Sequence, residues 1–158
     1  MALEIERKFL IDKTLCPLPA KGIKMVQGYL VRSMELAIRL RLAGEQAYLT
    51  IKGAQKNFTR SEYEYSIPAA DAEKMLAEFA DGQLVSKTRY HIQEGGHTWE
   101  VDIFEGTNHP LAVAEIELSS EDETFEIPPW VTKEVTGDLR YNNTYLAEHP
   151  YPEWAAQA

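Results

Sequence analysis

The chain has one cysteine, Cys16, in 158 residues, which excludes a disulfide within it and a zinc site built on thiolates. Its four histidines, His91, His97, His109 and His149, show no metal-ligand spacing, so oxygen is the donor to expect for any bound metal. No run of about 18 apolar residues is present, and no apolar leader opens the chain. Membrane spanning and secretion are therefore not indicated, and a soluble, cytoplasmic protein is expected. A glycine-rich phosphate loop is also missing, which removes a P-loop nucleotide site from consideration. Positive charge is in deficit: 16 Lys and Arg stand against 25 Asp and Glu, for a net charge of -9. The averaged field therefore repels nucleic acid and anionic membranes, and neither is an expected partner.

What the sequence has in abundance is period-two alternation, while long helical patterns are few. Strands are expected from Leu3 to Ile11, Val26 to Arg32, Leu36 to Leu42, Gln46 to Lys52, Arg60 to Ile67, Leu84 to Ile92, His97 to Phe104 and Ala112 to Leu118. Turn residues such as Gly44, Gly53, Gly95-Gly96 and Gly106 separate most of them. Serial strands with short connections read as antiparallel, and closure into a barrel removes their exposed edges. One clear helix is expected from Ala70 to Ala80, with Asp71 as its cap and Ala72, Met75, Leu76 and Phe79 as an apolar stripe for the outside of the barrel. Beyond Pro128-Pro129 one or two short packed helices are expected, and from His149 onward a loose end. A length of 158 residues suits a single domain, 1–158.

Side chains at i and i+2 share a strand face, and sorting by that rule separates charge from hydrophobe on strand after strand. Glu4, Glu6 and Lys8 share a face, as do Arg39 and Arg41, Glu62 and Glu64, Lys87 and Arg89, Glu100 and Asp102, and Glu115 and Glu117. Lys52 falls with Tyr48 and Thr50. On any one strand this is what a solvated outer face looks like. As a set it is less ordinary, because like charges side by side need an opposite charge between them. That need is met if the charged faces line a common interior and the apolar faces point outward. Unpaired buried ions cost several kcal/mol each, so such an interior has to be wet.

A wet, ion-lined tunnel suits a polyanion with a hard divalent metal. Lys8, Arg39, Arg41, Lys52, Lys87 and Arg89 are donors for phosphate oxygens. Glu4, Glu6, Asp102, Glu115 and Glu117 offer the oxygen ligands that Mg2+ or Mn2+ prefers. Tyr29, in QGYL, is either a hydroxyl donor at the tunnel mouth or a packed tyrosine.

The ordered set of an ExExK motif at Glu4 to Lys8, the RxR of Arg39 and Arg41, Lys52 before Gly53, the ExE of Glu62 and Glu64, the KxR of Lys87 and Arg89, and the ExE of Glu115 and Glu117 resembles the CYTH superfamily, the triphosphate tunnel metalloenzymes. The tail EVTGDLRYNN, Glu134 to Asn143, is similar to the C-terminal helical plug of that family. The resemblance covers nearly the whole chain. It implies an eight-stranded antiparallel barrel that takes a triphosphate inside, needs Mg2+ or Mn2+, and often forms a homodimer. Among its members the chain is most similar to the bacterial inorganic triphosphatases, which implies hydrolysis of tripolyphosphate to pyrophosphate and phosphate. By similarity to the thiamine triphosphatases, Glu4, Glu6, Asp102, Glu115 and Glu117 would hold one metal bridging the phosphates. Glu62 and Glu64 would stand near a second metal or the attacking water, and Lys52 and Lys87 would orient that water or stabilise the departing oxygen. The alternatives within this resemblance are a class IV adenylyl cyclase, a thiamine or nucleoside triphosphatase, and a polyphosphate-binding module without turnover.

Overall fold

The structure is a computed structural model and describes residues 3–155. Its strands are β1 (Leu3–Ile11), β2 (Ile23–Arg32), β3 (Leu36–Ala43), β4 (Gln46–Gly53), β5 (Thr59–Ser66), β6 (Val85–Glu94), β7 (His97–Glu105), β8 (Ala112–Glu117) and β9 (Val131–Glu134). The helices are α1 (Ala69–Phe79), α2 (Asn143–Glu148) and α3 (Tyr151–Ala155). The eight expected strands are present, with β2 beginning earlier, at Ile23.

The strands run β5-β4-β3-β2-β6-β7-β8-β1-β9, and a further pairing of β5 with β1 closes the first eight into an antiparallel barrel. Closure depends on how β1 divides its edges. One edge pairs with β8 from Glu6 to Leu10. The other takes β5 at Leu3 to Ile5 and then, where β5 has turned away, β9 at Phe9 to Ile11. The short ninth strand was not expected, because four residues after a Pro-Pro pair carry too little alternation to register. Hairpins set the register elsewhere. Glu94 pairs with His97 across Gly95-Gly96, both with positive φ, which a two-residue hairpin loop of the primed type requires.

The apolar faces do point outward, to two different coverings. Helix α1 lays Leu76 and Ala80 on Leu40 of β3, with Leu30, Leu42, Leu49, Ile67 and Met75 around them. Gly28 permits this contact: a Cβ there would stand 2.9 Å from both Ala80 Cβ and Leu76 Cδ2. Asp71 does not cap α1. The N-cap is Pro68, without a side-chain cap bond, and Asp71 lies in the first turn, where its charge favours the helix dipole. On the other side the outward residues Phe9, Ile92, Trp99, Val101, Ala114 and Ile116 are covered by loops rather than helices, through Cys16, Phe125 and Trp130. Trp99 is the hub, with ring centroids 5.6 Å from Phe9, 5.9 Å from Phe125 and 5.5 Å from Trp130.

The inward faces are not charged along their whole length. Tyr29, Ala37, Val85, Phe104 and Val113 form an apolar cluster with Val135, Tyr141 and Leu146, so the C-terminal segment stoppers one end of the barrel. The chain end expected to be loose is instead ordered as far as the described residues go. Helix α3 sets Trp154 edge-on to Tyr141 at 5.3 Å, and Tyr151 N donates to Asn108 Oδ1 at 2.9 Å. The part of that end from 156 to 158 lies outside the described residues.

Candidate active site

Inside the remaining length of the barrel is a cavity of about 260 Å3, small beside the roughly 300–1,000 Å3 of drug-sized ligand pockets. Its wall carries Lys8, Arg39, Arg41, Lys52, Lys87 and Arg89 together with Glu4, Glu6, Glu62, Glu64, Glu115 and Glu117, and Tyr29 as well. Period-two alternation delivers these side chains to one surface, and the strand pairing sets which of them meet.

The cations are held in place by four kinds of partner: carboxylates, a hydroxyl, a backbone carbonyl and a side-chain amide. Lys52 Nζ lies 3.2 Å from Glu4 Oε2 and 3.3 Å from Glu62 Oε2, as the pairing of Lys52 with Glu62 across β4 and β5 dictates. Arg39 Nη2 is 3.2 Å from Glu64 Oε2 and donates to Thr50 Oγ1 at 3.1 Å, while that hydroxyl donates to Glu64 Oε2 at 2.8 Å. Lys8 Nζ donates to the carbonyl oxygen of Tyr141 at 3.0 Å and Lys87 Nζ to Asn143 Oδ1 at 3.2 Å, both from the C-terminal segment.

Asp102 is the predicted site residue that stands apart. It does not line the cavity. It is fully buried behind the wall, where Arg89 Nε and Nη2 donate to its two oxygens at 2.7 and 2.9 Å and Lys87 Nζ sits 2.7 Å from Oδ2. Burial alone would raise its pKa, but Arg89 and Lys87 hold the carboxyl far below the ordinary range. Its lone pairs already serve two cations, which leaves it poorly placed to ligate a metal and well placed to fix Arg89 and Lys87. Among the other residues considered at the sequence level, His91 Nε2 pairs with Glu100 at 3.3 Å, and Arg140 pairs with Asp138 and stacks on Trp154. Neither lines the cavity, nor does Lys133.

Several lining residues were not anticipated. Arg60 projects from β5 on the same face as Glu62 and Glu64, and its Nε and Nη2 donate to Gly53 O at 3.2 and 3.1 Å. Thr136, Asn142, Asn143 and Thr144 enter from the C-terminal segment. Parity with Glu62 marked Arg60 inward; nothing periodic marks the C-terminal residues.

The electrostatics of the wall are uneven. Burial, with Glu115 and Glu4 close by, pushes the Glu6 carboxyl well above the ordinary range. Burial acts on Glu115 too, but Lys8, a hydrogen bond from Glu6 and the charge of Arg89 bring it down to about 2. Glu62 is raised by burial and by the neighbouring Glu4, and Lys87 is brought down to about 7 by burial and by Arg89 and Arg41, against the attraction of Asp102. A crowd of carboxylates that raises one member in this way is a concentration of negative charge. The donors Glu4, Glu6, Glu115 and Glu117 are all oxygen, as a hard divalent ion prefers. Among the described residues no three carboxylates, histidines or cysteines converge into a ready coordination shell.

A closed antiparallel barrel with an inner wall of interleaved cations and carboxylates, stoppered at one end, defines a protein class built to enclose a small, highly charged ligand. The chain belongs to the CYTH domain family, whose model matches residues 2–151. An inorganic triphosphatase of Acetivibrio thermocellus is 41% identical over 151 residues, spanning 96% of this chain and 97% of that protein. A second inorganic triphosphatase, from Nitrosomonas europaea, is 38% identical over 148 residues, spanning 91% of this chain and 96% of the relative. In three dimensions the chain is similar to the crystal structure of the inorganic triphosphatase NE1496, with a TM-score of 0.66 and 38% identity over 93% of this chain and 95% of that one. No helix among the described residues is long and apolar enough to cross a membrane.

Proposed function

We propose that the chain is a metal-dependent inorganic triphosphatase, which adds water across a phosphoanhydride bond of tripolyphosphate to give pyrophosphate and phosphate. The observation that carries this reading is the convergence of seven cations, Lys8, Arg39, Arg41, Lys52, Arg60, Lys87 and Arg89, on one cavity whose wall also holds seven glutamates, Glu4, Glu6, Glu115 and Glu117 among them. Two curated relatives that match almost end to end bear the name inorganic triphosphatase.

In this reading the arginines and lysines bind and straighten the polyphosphate, which supplies most of the catalysis in a phosphoryl transfer by positioning and charge neutralisation. Glu4, Glu6, Glu115 and Glu117 would hold Mg2+ or Mn2+, which when bound would supply positive charge against the phosphate oxygens and make water more acidic. Lys52, fixed between Glu4 and Glu62, orients the attacking water, and Glu62, with its raised pKa, accepts the proton that water loses. The water oxygen bonds to the terminal phosphorus as the bridging P–O bond breaks. Lys87, buried and with its pKa brought down to about 7, stabilises the departing oxygen. Glu64 fixes Arg39, with Thr50 as the third member of that contact. The homodimer implied by the family finds support in the outer face of β5, where Tyr63 and Tyr65 are 49% and 57% exposed.

The test is to incubate the protein with tripolyphosphate, pyrophosphate, ATP and thiamine triphosphate, with Mg2+ or Mn2+ and with excess EDTA, and to measure phosphate and cyclic AMP. Phosphate release fastest from tripolyphosphate and abolished by EDTA is the expected result. Cyclic AMP from ATP, or full turnover in EDTA, overturns the reading.

A further inference from the structure

Behind the cavity wall lies a neutral side chain whose placement is hard to account for by packing. Gln27 of β2 is 0% exposed, and it lies between two donors of the site. Arg41 Nε donates to Gln27 Oε1 at 2.9 Å, and Gln27 Nε2 donates to Tyr29 Oη at 3.1 Å. The orientation of the amide follows from chemistry: a guanidinium can only donate, so the oxygen has to face Arg41 and the NH2 has to face the phenol. Cross-strand pairing fixes the arrangement, since Gln27 is the partner of Arg41 and Tyr29 of Arg39 across β2 and β3.

We infer that Gln27 is a positioning residue that aims two donors into the tunnel, Arg41 through its Nε and Tyr29 through its phenol oxygen, and that it does so as an amide because an amide leaves the charge of Arg41 free for substrate. The inference rests on the triphosphatase reading above. Two observations support it independently. Tyr29 Oη is occupied as an acceptor by Gln27, so its own hydrogen is available to the cavity that Tyr29 lines. Among the described residues no carboxylate lies within 4.0 Å of the Arg41 guanidinium, whereas Arg39 and Lys87 each have one and Lys52 and Arg89 each have two. Arg41 is also brought down to about 10, by burial first and then by the repulsion of Arg39 and Arg89, as expected of a cation without a counter-ion.

A carboxylate of the same shape at this position reverses both effects. It pairs with Arg41 and neutralises it, and it accepts from the Tyr29 hydroxyl, turning that hydrogen away from the cavity. Gln27→Glu should therefore weaken substrate binding while holding or raising the stability of the free protein. Gln27→Met removes both hydrogen bonds without adding charge, and should lower stability while weakening binding less. The experiment measures KM and kcat for tripolyphosphate with Mg2+, and the melting temperature without substrate, for wild type and both variants. The expected result is a KM raised about tenfold or more in Gln27→Glu, the size of a lost charge-assisted contact, with kcat changed less. The order of affinities is then wild type, Gln27→Met, Gln27→Glu, whereas Gln27→Met is the least stable of the three.

If both variants lose affinity in proportion to lost stability, Gln27 is a packing residue and the inference fails. An unchanged KM in Gln27→Glu has the same consequence. Should Gln27→Glu not fold, Gln27→Met decides alone, assayed well below its melting temperature: a raised KM with kcat little changed supports the inference, and a wild-type KM, or KM and kcat impaired together, overturns it. Failure of the functional reading is distinct, because wild type itself then releases no phosphate from tripolyphosphate with either metal.

Discussion

Lys87 Nζ, at the tunnel wall, and Asp102 Oδ2, behind it, lie 2.7 Å apart, with the two side chains 0% and 1% exposed. An ion pair sealed to that degree is held by its partners and not by water, and removing one member leaves the other uncompensated. Asp102 carries a second cation as well, through the two-point contact with Arg89. The pair therefore links the interior framework to two substrate-facing side chains.

Asp102→Asn is expected to destabilise the fold by about 3–5 kcal/mol, the range for breaking a buried pair. It should also lower turnover, because Lys87 and Arg89 lose their anchor. The Mg2+ concentration for half-maximal activity should stay near the wild-type value. Urea denaturation and a metal titration check both parts. A large rise in the metal requirement would show that Asp102 is a ligand after all.

Lys87 makes stability depend on pH in a definite direction. Its ordinary value of 10.5 is brought down to about 7 in the folded protein, so between those limits the unfolded chain binds more protons than the native one. Stability from this residue therefore rises with pH across the window, and the cost of burying the ammonium is complete below about pH 7. In Lys87→Met that contribution is gone. The stability of wild type relative to Lys87→Met should rise as pH is raised from 7 to 10, as measured by denaturation at several pH values.

Arg39→Ala removes a charge-assisted contact to phosphate and releases Glu64 from its partner. The expected loss in kcat/KM is about 1.5–3 kcal/mol, carried mainly by KM. Steady-state kinetics with tripolyphosphate separate the two constants. A wild-type KM would mean that this face of β3 does not meet the substrate.

Gly28→Ala tests the seat of α1 on β2. The added methyl would come 2.9 Å from Ala80 Cβ and Leu76 Cδ2, closer than packed carbons allow. Overpacking of this kind costs about 1–3 kcal/mol. A lowered melting temperature is expected, and an unchanged one would show that α1 shifts freely away from the barrel.

Much of the site was legible because side-chain parity is a local property. Lys8, Arg39, Arg41 and Glu62 could each be placed on an inner face from their own strand, and the structure brings them to one cavity. The same rule would have marked Arg60 beside Glu62, and Gln27 beside Tyr29. Other features depend on contacts between distant segments. Thr136 and Asn143 come from a stretch without strand periodicity, so only the docking of the C-terminal segment takes them to the wall. Asp102 shows the limit of parity most directly: it shares a face with Glu100, which reaches the cavity, yet lies behind the wall against its cross-strand partner Arg89.

From the sequence alone came the period-two pattern, the separation of charged from apolar faces, and with them the barrel and its ionic interior, since these follow from backbone geometry within a few residues. Tertiary structure decided where the barrel closes, through β1 pairing with β5 at one end and β9 at the other. It also decided which end is stoppered, and which charges are neutralised. Closure and the stopper depend on pairs more than fifty residues apart, such as Lys87 with Asn143, and the neutralised charges on pairs between different strands, such as Arg39 with Glu64. Parity says which way a side chain points, but burial depth and counter-ions are set by what the rest of the chain brings against it.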